Sequence, residues 1–272
     1  MNDRKGNFLT RVVRKLFYSY HIFRILDKTK IAWTVSFAYI AYLFVGQIPF
    51  LKNLSAFSTL NVSLLLLVSY AISTVLLMGV KQSGKFFIIA GVVGSLLELL
   101  SLRTGIPFGN YYYTVGLGPL IGPIPIFIPL LWASLSFYAY EAGKNIAMPF
   151  LLVSLDLSFD PRFSGRLWVW TSSTQYFGDP WTNFVGWFVT ATIISAIFYF
   201  FKIGRGSTDI RAILFIVLFG IDNCISDLYD KLVDPAIISF LIFLIILVTY
   251  MLGRKSEKIG AFYSISNGKE TI

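Results

Sequence analysis

"RTGIPFGNYYYTVGLGP", residues 103–119, decides how this chain folds. It holds two prolines, four glycines and three consecutive tyrosines, and it lies between two apolar runs. Proline removes a backbone donor and glycine opens conformations closed to other residues, so the stretch reads as a shaped loop and not as a helix. A plain linker between two helices needs far less than this. The flanking runs therefore have to be explained first.

The chain has 272 residues, 56% hydrophobic, 17% aromatic and only 14% charged, with a mean hydropathy of +0.71. A soluble domain carries about a quarter charged residues. The composition implies an integral membrane protein, an all-α polytopic helical bundle. Apolar segments of spanning length fall at 31–51, 60–80, 86–102, 124–141, 145–159, 183–202, 210–229 and 235–253. That predicts about eight transmembrane helices, with seven also compatible because the third and fifth segments are short and contain acids. With eight, 18 of the 23 Lys and Arg residues fall on the side of the two tails and five on the other. This asymmetry fits both termini in the cytoplasm of a multi-pass cell-membrane protein. Basic charge here sets topology, so the net charge of +9 does not imply nucleic acid.

The domain organisation expected is a cytoplasmic segment over 1–30, one transmembrane domain over 31–253 and a loose cytoplasmic tail over 254–272. Residues 1–30 have no cleavable apolar core. Val12, Val13, Leu16, Phe17 and Tyr20 recur there at helical spacing among Arg11, Arg14 and Lys15, the pattern of a helix lying on anionic lipid. Cys224 is the one cysteine and His21 the one histidine, which excludes a disulfide framework and a Cys/His metal cluster.

A carboxylate placed in hydrocarbon costs at least about 3 kcal/mol, so intramembrane acids mark function. Glu98 shares a helix face with Gly91, Gly94 and Ser95. Asp156 and Asp160 are four apart near the end of the fifth span, with Pro161 expected to stop that helix. The seventh span carries Asp222, Asn223, Ser226, Asp227 and Asp230. These three spans run in the same direction, so their acid-bearing ends meet in the outer half of the membrane. The loops 103–123 and 160–182 leave from the same ends and carry Tyr111, Tyr112, Tyr113, Trp168, Trp170, Tyr176 and Trp181. An interfacial aromatic belt explains the rings. It does not explain the glycines and prolines around them, whereas a lid over a cavity does. Gly105, Pro107, Gly109, Gly118 and Pro119 are read as shaping that lid.

No P-loop, GxSxG elbow or HExxH is present. Buried carboxyl groups, aromatic faces and Asn183 suit protonation of an alkene, because ring faces stabilise a cation in a dry pocket. The substrate expected is a hydrophobic polyene drawn from the bilayer.

Glu98, "TGIPFGNYYYT" at 104–114, "LGP" at 117–119, "IPIFIPLLW" at 124–132, "LDLSFDP" at 155–161, "WVW" at 168–170 and "YFGDPWTNFVGW" at 176–187 together resemble the membrane-embedded carotenoid hydratase family. This family takes in the bisanhydrobacterioruberin hydratases of archaea and the membrane-embedded carotenoid 1,2-hydratases. The resemblance covers about residues 90–190. It implies carotenoid biosynthesis by a hydro-lyase that adds water to a terminal C=C of an acyclic carotenoid, giving a tertiary alcohol without a cofactor or metal. Membrane lipid and other carotenoid-pathway enzymes are the partners expected.

The roles assigned are Glu98 or Asp156 as proton donor and Asp160 with Asn183 holding the attacking water. Tyr111, Tyr112, Tyr113, Trp132, Trp168, Trp170, Tyr176 and Trp187 are expected to line the substrate, with Arg103, Asp222 and Asp227 behind them. The plain alternatives are an ion pair of Glu98 with Arg103 or Arg166, and a turn-forming role for Asp160 before Pro161. Other activities compatible with the residues are a carotenoid cyclase, a prenyltransferase holding Mg²⁺ and a diphosphate on Asp156, Asp160, Asp222 and Asp227, and an isoprenoid or lipid transporter. The topology has a direct check. A reporter fused after Ile272 is expected to be active in the cytoplasm only, and activity on the outside would undo the span count and the convergence of acids.

Overall fold

The computed structural model of the chain describes residues 27–205 and 208–266. Seven helices account for most of them: α1 (Asp27–Gly46), α2 (Thr59–Met78), α3 (Val80–Thr104), α4 (Phe127–Phe163), α5 (Trp181–Phe200), α6 (Ile210–Tyr229) and α7 (Val233–Ser266). All but α4 are long and apolar enough to cross a membrane. Four short strands lie in the loops: β1 (Tyr111–Tyr113), β2 (Leu120–Ile121), β3 (Ile124–Pro125) and β4 (Trp168–Trp170). The amphipathic segment expected over 1–30 lies, up to residue 26, outside the described residues. Its last four residues open α1.

The helix α4 is central and packs against α2, α3, α5, α6 and α7. Lys144 interrupts it with φ 50° and ψ −151°. Trp132, before the break, and Asp156, after it, line the same cavity. In a straight helix they would stand about 36 Å apart. The chain therefore doubles back at Lys144, and its two halves are the separate segments expected at 124–141 and 145–159. Ion pairs hold this turn. Lys144 Nζ lies 3.0 Å from Glu141 Oε1, and Arg205 Nη1 lies 3.7 Å from Glu141 Oε2. Next to it, Asp209 caps α6 by accepting from Arg211 N at 3.0 Å, and also accepts from Trp33 Nε1 at 3.1 Å. These contacts make one polar end of the bundle.

Three expected boundaries move. The second and third spans are divided at Gly79, which has φ +79°, and not over 81–85, so Lys81 and Lys85 belong to α3. A positive φ suits glycine, and the residues after it are all tolerated in a helix. The tail expected after 253 continues α7 to Ser266, since no proline follows Gly253 to stop it. Pro161 does not end α4, which runs on to Phe163. Proline at 161 deprives the Leu157 carbonyl of its helical donor, and the Tyr176 hydroxyl donates to that carbonyl instead, at 3.1 Å.

At the opposite end the two irregular loops pair. Strands β1 and β4 form an antiparallel ribbon with Tyr111 opposite Trp170 and Tyr113 opposite Trp168. Gly105 closes α3 with φ +76°, and Ser101 Oγ accepts from Phe108 N at 3.0 Å and donates to the Gly109 carbonyl at 2.9 Å. These contacts fold the start of the 103–119 segment back over the helix end.

Small residues let α3 and α5 approach the aromatic core. A Cβ on Gly94 would stand 2.4 Å from Trp132 Cγ, and one on Gly186 would stand 2.3 Å from Phe108 Cδ1. The small face shared with Glu98 is thus helix packing. Gly94→Val is expected to destabilise the fold by about 1–3 kcal/mol through overpacking. Thermal unfolding of the detergent-solubilised protein measures this, against Leu96→Val on the exposed side of the same helix as the neutral control.

Candidate active site

Three carboxyl groups meet beneath the ribbon. Glu98 lies in the last two turns of α3, and its Oε2 accepts from the hydroxyls of Tyr111 and, at 2.9 Å, Tyr113. Its Oε1 accepts from Trp132 Nε1 at 3.1 Å. Glu98 is thus satisfied by three neutral donors and not by an arginine. Arg103 and Arg166 are both exposed, and neither pairs with it. Arg103 therefore does not belong to the site as expected, because the end of α3 turns it outward.

Asp156 and Asp160 lie one helical turn apart on α4, so their side chains project the same way. Asn183, in the first turn of α5, donates its amide to Oδ2 of both, at 2.8 Å to Asp156. The Asp160 side chain faces this amide, while its carbonyl caps the helix by accepting from Ser164 N at 2.8 Å. The turn-forming alternative is thereby set aside. Asp156 Oδ1 is buried and meets no protein donor among the described residues.

One cavity of about 740 Å³ joins these groups. Glu98, Asp156, Asp160 and Asn183 line it, as do Tyr111, Tyr113 and Trp132. Trp168, Trp170 and Trp187 complete its aromatic wall, with Trp132 and Trp187 stacked at 4.2 Å. Two expected lining residues are absent from it. Tyr112 is 54% exposed, because successive side chains of a strand point to opposite faces. Tyr176 is buried below the loop against Phe184, where it serves the Leu157 carbonyl.

The far wall of the cavity holds a second polar group. Gln47 Nε2 donates to Asp222 Oδ1 at 2.7 Å and to Ser226 Oγ at 2.8 Å. Arg162 donates from Nη2 to Asn223 Oδ1 at 2.7 Å and lies 3.6 Å from Asp227. Asp227 also accepts from Ser158. Asp222 thus faces the cavity, while Asp227 stands behind Arg162. Sequence reading missed Arg162 and Gln47. Arg162 follows Pro161, and only a helix that continues through the proline puts it one turn beyond Ser158. Gln47 lies just past the end of an apolar span, with no pattern to single it out.

Among the described residues, no group of three His, Cys, Asp or Glu side chains is arranged to hold a metal ion. The arrangement can transfer a proton between carboxyl groups and a guest under aromatic faces.

A protein-family profile described as "Carotenoid biosynthesis protein" matches residues 56–246. The chain belongs to that family. A curated relative, the bisanhydrobacterioruberin hydratase of Haloarcula japonica, is 29% identical over 119 residues, which is 38% of this chain and 40% of the relative. The chain thus spans well under half of that relative's length. No solved structure matches this carotenoid biosynthesis family member.

The ribbon is tied to the turn at 176–179 through Asp179, which sequence reading did not single out. Trp170 Nε1 donates to Asp179 Oδ1 at 2.6 Å, and the Asp179 side chain is fully buried. Burial, the largest cause, pushes this carboxyl up to about 7, against about 3.9 for an unfolded aspartate. The folded chain therefore holds the Asp179 proton more tightly than the unfolded chain. This group's contribution to stability falls as pH rises from about 4 to about 7 and is level above that. Asp179→Asn, which keeps the shape but cannot ionise, is expected to flatten the decline in melting temperature between pH 5 and pH 8. An unchanged pH slope would mean that Asp179 is not the titrating group.

Proposed function

We propose that this chain adds water to a terminal C=C of an acyclic carotenoid by acid catalysis, yielding a tertiary alcohol. The observation that carries the reading is the Asp156–Asp160 pair. Two carboxyl groups share one amide donor beside a cavity walled by tryptophan and tyrosine, and the buried Asp156 Oδ1 meets no donor among the described residues. Two ionised carboxylates buried so close together would repel each other, so the pair is satisfied when it keeps one proton between them. Glu98, already accepting three hydrogen bonds, is better suited to hold Tyr111 and Tyr113 in place.

In this reading Asp156 gives its proton to the inner CH carbon of the terminal C=C, and a tertiary cation forms on the neighbouring dimethyl-bearing carbon beside the faces of Trp168, Trp170 and Trp132. Water held by Asp160 and Asn183 attacks the cation and passes its extra proton to the carboxylate pair, which restores the starting state. No cofactor is consumed. The name of the Haloarcula japonica relative supports the reaction class.

The cavity is large enough for one end of a long polyene, with the remainder in the bilayer. The distribution of Lys and Arg supports a multi-pass plasma-membrane protein with both termini cytoplasmic and the acid end in the outer half. Other enzymes of carotenoid synthesis fit as suppliers of such an insoluble substrate.

The test is expression in a polyene-producing host, with the extracted carotenoids followed by mass. The wild-type chain is expected to give products heavier by one water per hydrated end. Asp156→Asn is expected to lose about 10²-fold or more, the usual scale for general-acid catalysis, with Glu98→Gln milder. Wild-type rates in Asp156→Asn would remove it as the donor. Activity is also expected to survive EDTA. Loss with EDTA and recovery with Mg²⁺ would replace this reading with the diphosphate-binding one.

A further inference from the structure

Six residues that line the cavity are exposed, and they mark its mouth. Asn53, Leu54, Ser55 and Ser58 belong to the connection between α1 and α2, Arg166 precedes β4, and Asp230 follows α6. The mouth therefore lies along the α1–α2 connection. Phe50, 79% exposed, and Leu54, 51% exposed, sit on that connection beside the charged Lys52. Large apolar side chains next to charged ones suit the boundary between lipid headgroups and acyl chains. The proposed hydration leaves open how a ligand passes this rim.

The walls of the mouth are fastened differently. The ribbon is held by two buried carboxyl groups, Glu98 and Asp179, which accept from Tyr111, Tyr113 and Trp170. By contrast, no residue of the segment 48–58 is buried. Its own backbone hydrogen bonds are local, from Lys52 N to the Ile48 carbonyl at 3.0 Å and from Phe57 N to the Leu54 carbonyl at 2.9 Å. The segment can therefore move as a unit without breaking them. Side chains tie it to the bundle. Lys52 Nζ lies 3.7 Å from Asp230 Oδ1 and 4.4 Å from the centre of the Tyr229 ring, and both partners of the ion pair are 36% exposed. Tyr42 stacks on Phe57 at 4.9 Å and donates to the Ala56 carbonyl, and Asn61 donates to the Ser55 carbonyl at 2.7 Å. A Cβ on Gly46 would stand 2.6 Å from Phe57 Cδ1, so a larger residue there would displace the ring. Segments with little buried surface and exposed fastenings open at low free-energy cost.

Resting on the proposed polyene ligand, we propose that segment 48–58 is a strap that opens the cavity to the membrane, and that the polyene enters beneath it. Lys52 leaves Asp230, and Phe57 leaves its seat between Gly46 and Tyr42. The ribbon and the three acids stay in place while the strap moves. Closure returns Phe57 to the cavity wall and shuts the ligand in.

Access to the cavity is measured on the full chain in lipid nanodiscs. Cys224→Ser removes the native thiol, and Ser63→Cys places a reporter on the cavity wall one turn into α2. Labelling by an uncharged, membrane-soluble maleimide is compared with labelling by a sulfonated, water-soluble one. Lys52→Met is expected to speed the membrane-soluble reagent by about two- to fivefold, the range of a part-exposed ion pair. Gly46→Ala, which displaces Phe57, is expected to speed it further. Lys52→Asp combined with Asp230→Lys reverses the pair and is expected to restore the parent rate. An added polyene then reads entry by quenching the fluorescence of Trp132, Trp168, Trp170 and Trp187, which line the cavity. Its association and dissociation are expected to quicken together in Gly46→Ala, with affinity unchanged. Parent labelling rates in both single variants, a gain for the sulfonated reagent alone, or a reversed pair as open as Lys52→Met overturns the strap. Faster labelling in the variants without quenching by the polyene leaves the strap standing and removes the polyene ligand instead.

Discussion

A carboxyl group taken out of water must be given hydrogen-bond partners, and the acid end of this bundle is organised around that requirement. Three carboxyl groups are buried within one cavity wall. Glu98 receives two tyrosine hydroxyls and an indole N–H, and Asp156 with Asp160 receives a single amide. Each donor comes from a different part of the chain. Trp132 is on α4, the tyrosines are on β1, and Asn183 opens α5. The acids can be satisfied only if the helices and the ribbon are all in place, so site and fold depend on each other.

Two local devices bring those donors together. The break at Lys144 turns α4 back, so that Trp132 and Asp156 share a cavity. Pairing of β1 with β4 fixes the ribbon so that Tyr111 and Tyr113 point inward beside Trp168 and Trp170. Pro161 allows the aspartate helix to run its extra turn, because Tyr176 supplies the donor that the proline lacks. The glycines of segment 103–119 serve the same end at the positions where the backbone turns most tightly, Gly105 and Gly109.

The bundle was legible in the sequence because hydropathy acts over whole spans. The reversal near Lys144 and the convergence of Glu98 with Asp156 and Asp160 followed from span count and direction. Details set by single backbone torsions did not. Tyr112 reads the same as its neighbours until a strand places it on the outer face. Arg103 looked a natural partner for Glu98, five residues away, yet the end of α3 turns it outward. Arg162 was hidden by reading Pro161 as a stop, since the donor that rescues the helix, Tyr176, lies 15 residues further on. Tertiary contacts decide such positions, and no periodic pattern reports them.

The two acid environments suit a division of labour in the proposed reaction, with Glu98, surrounded by donors, orienting its surroundings and the aspartate pair, short of donors, proposed to carry the proton. Turnover in deuterium oxide enriched with oxygen-18 tests this most directly. Acid-catalysed hydration predicts that each new hydroxyl carries solvent oxygen and that the adjacent carbon gains one solvent deuterium, with both labels lost together in Asp156→Asn. A hydroxyl without carbon-bound deuterium, or with oxygen from another source, would contradict protonation of the alkene by this site.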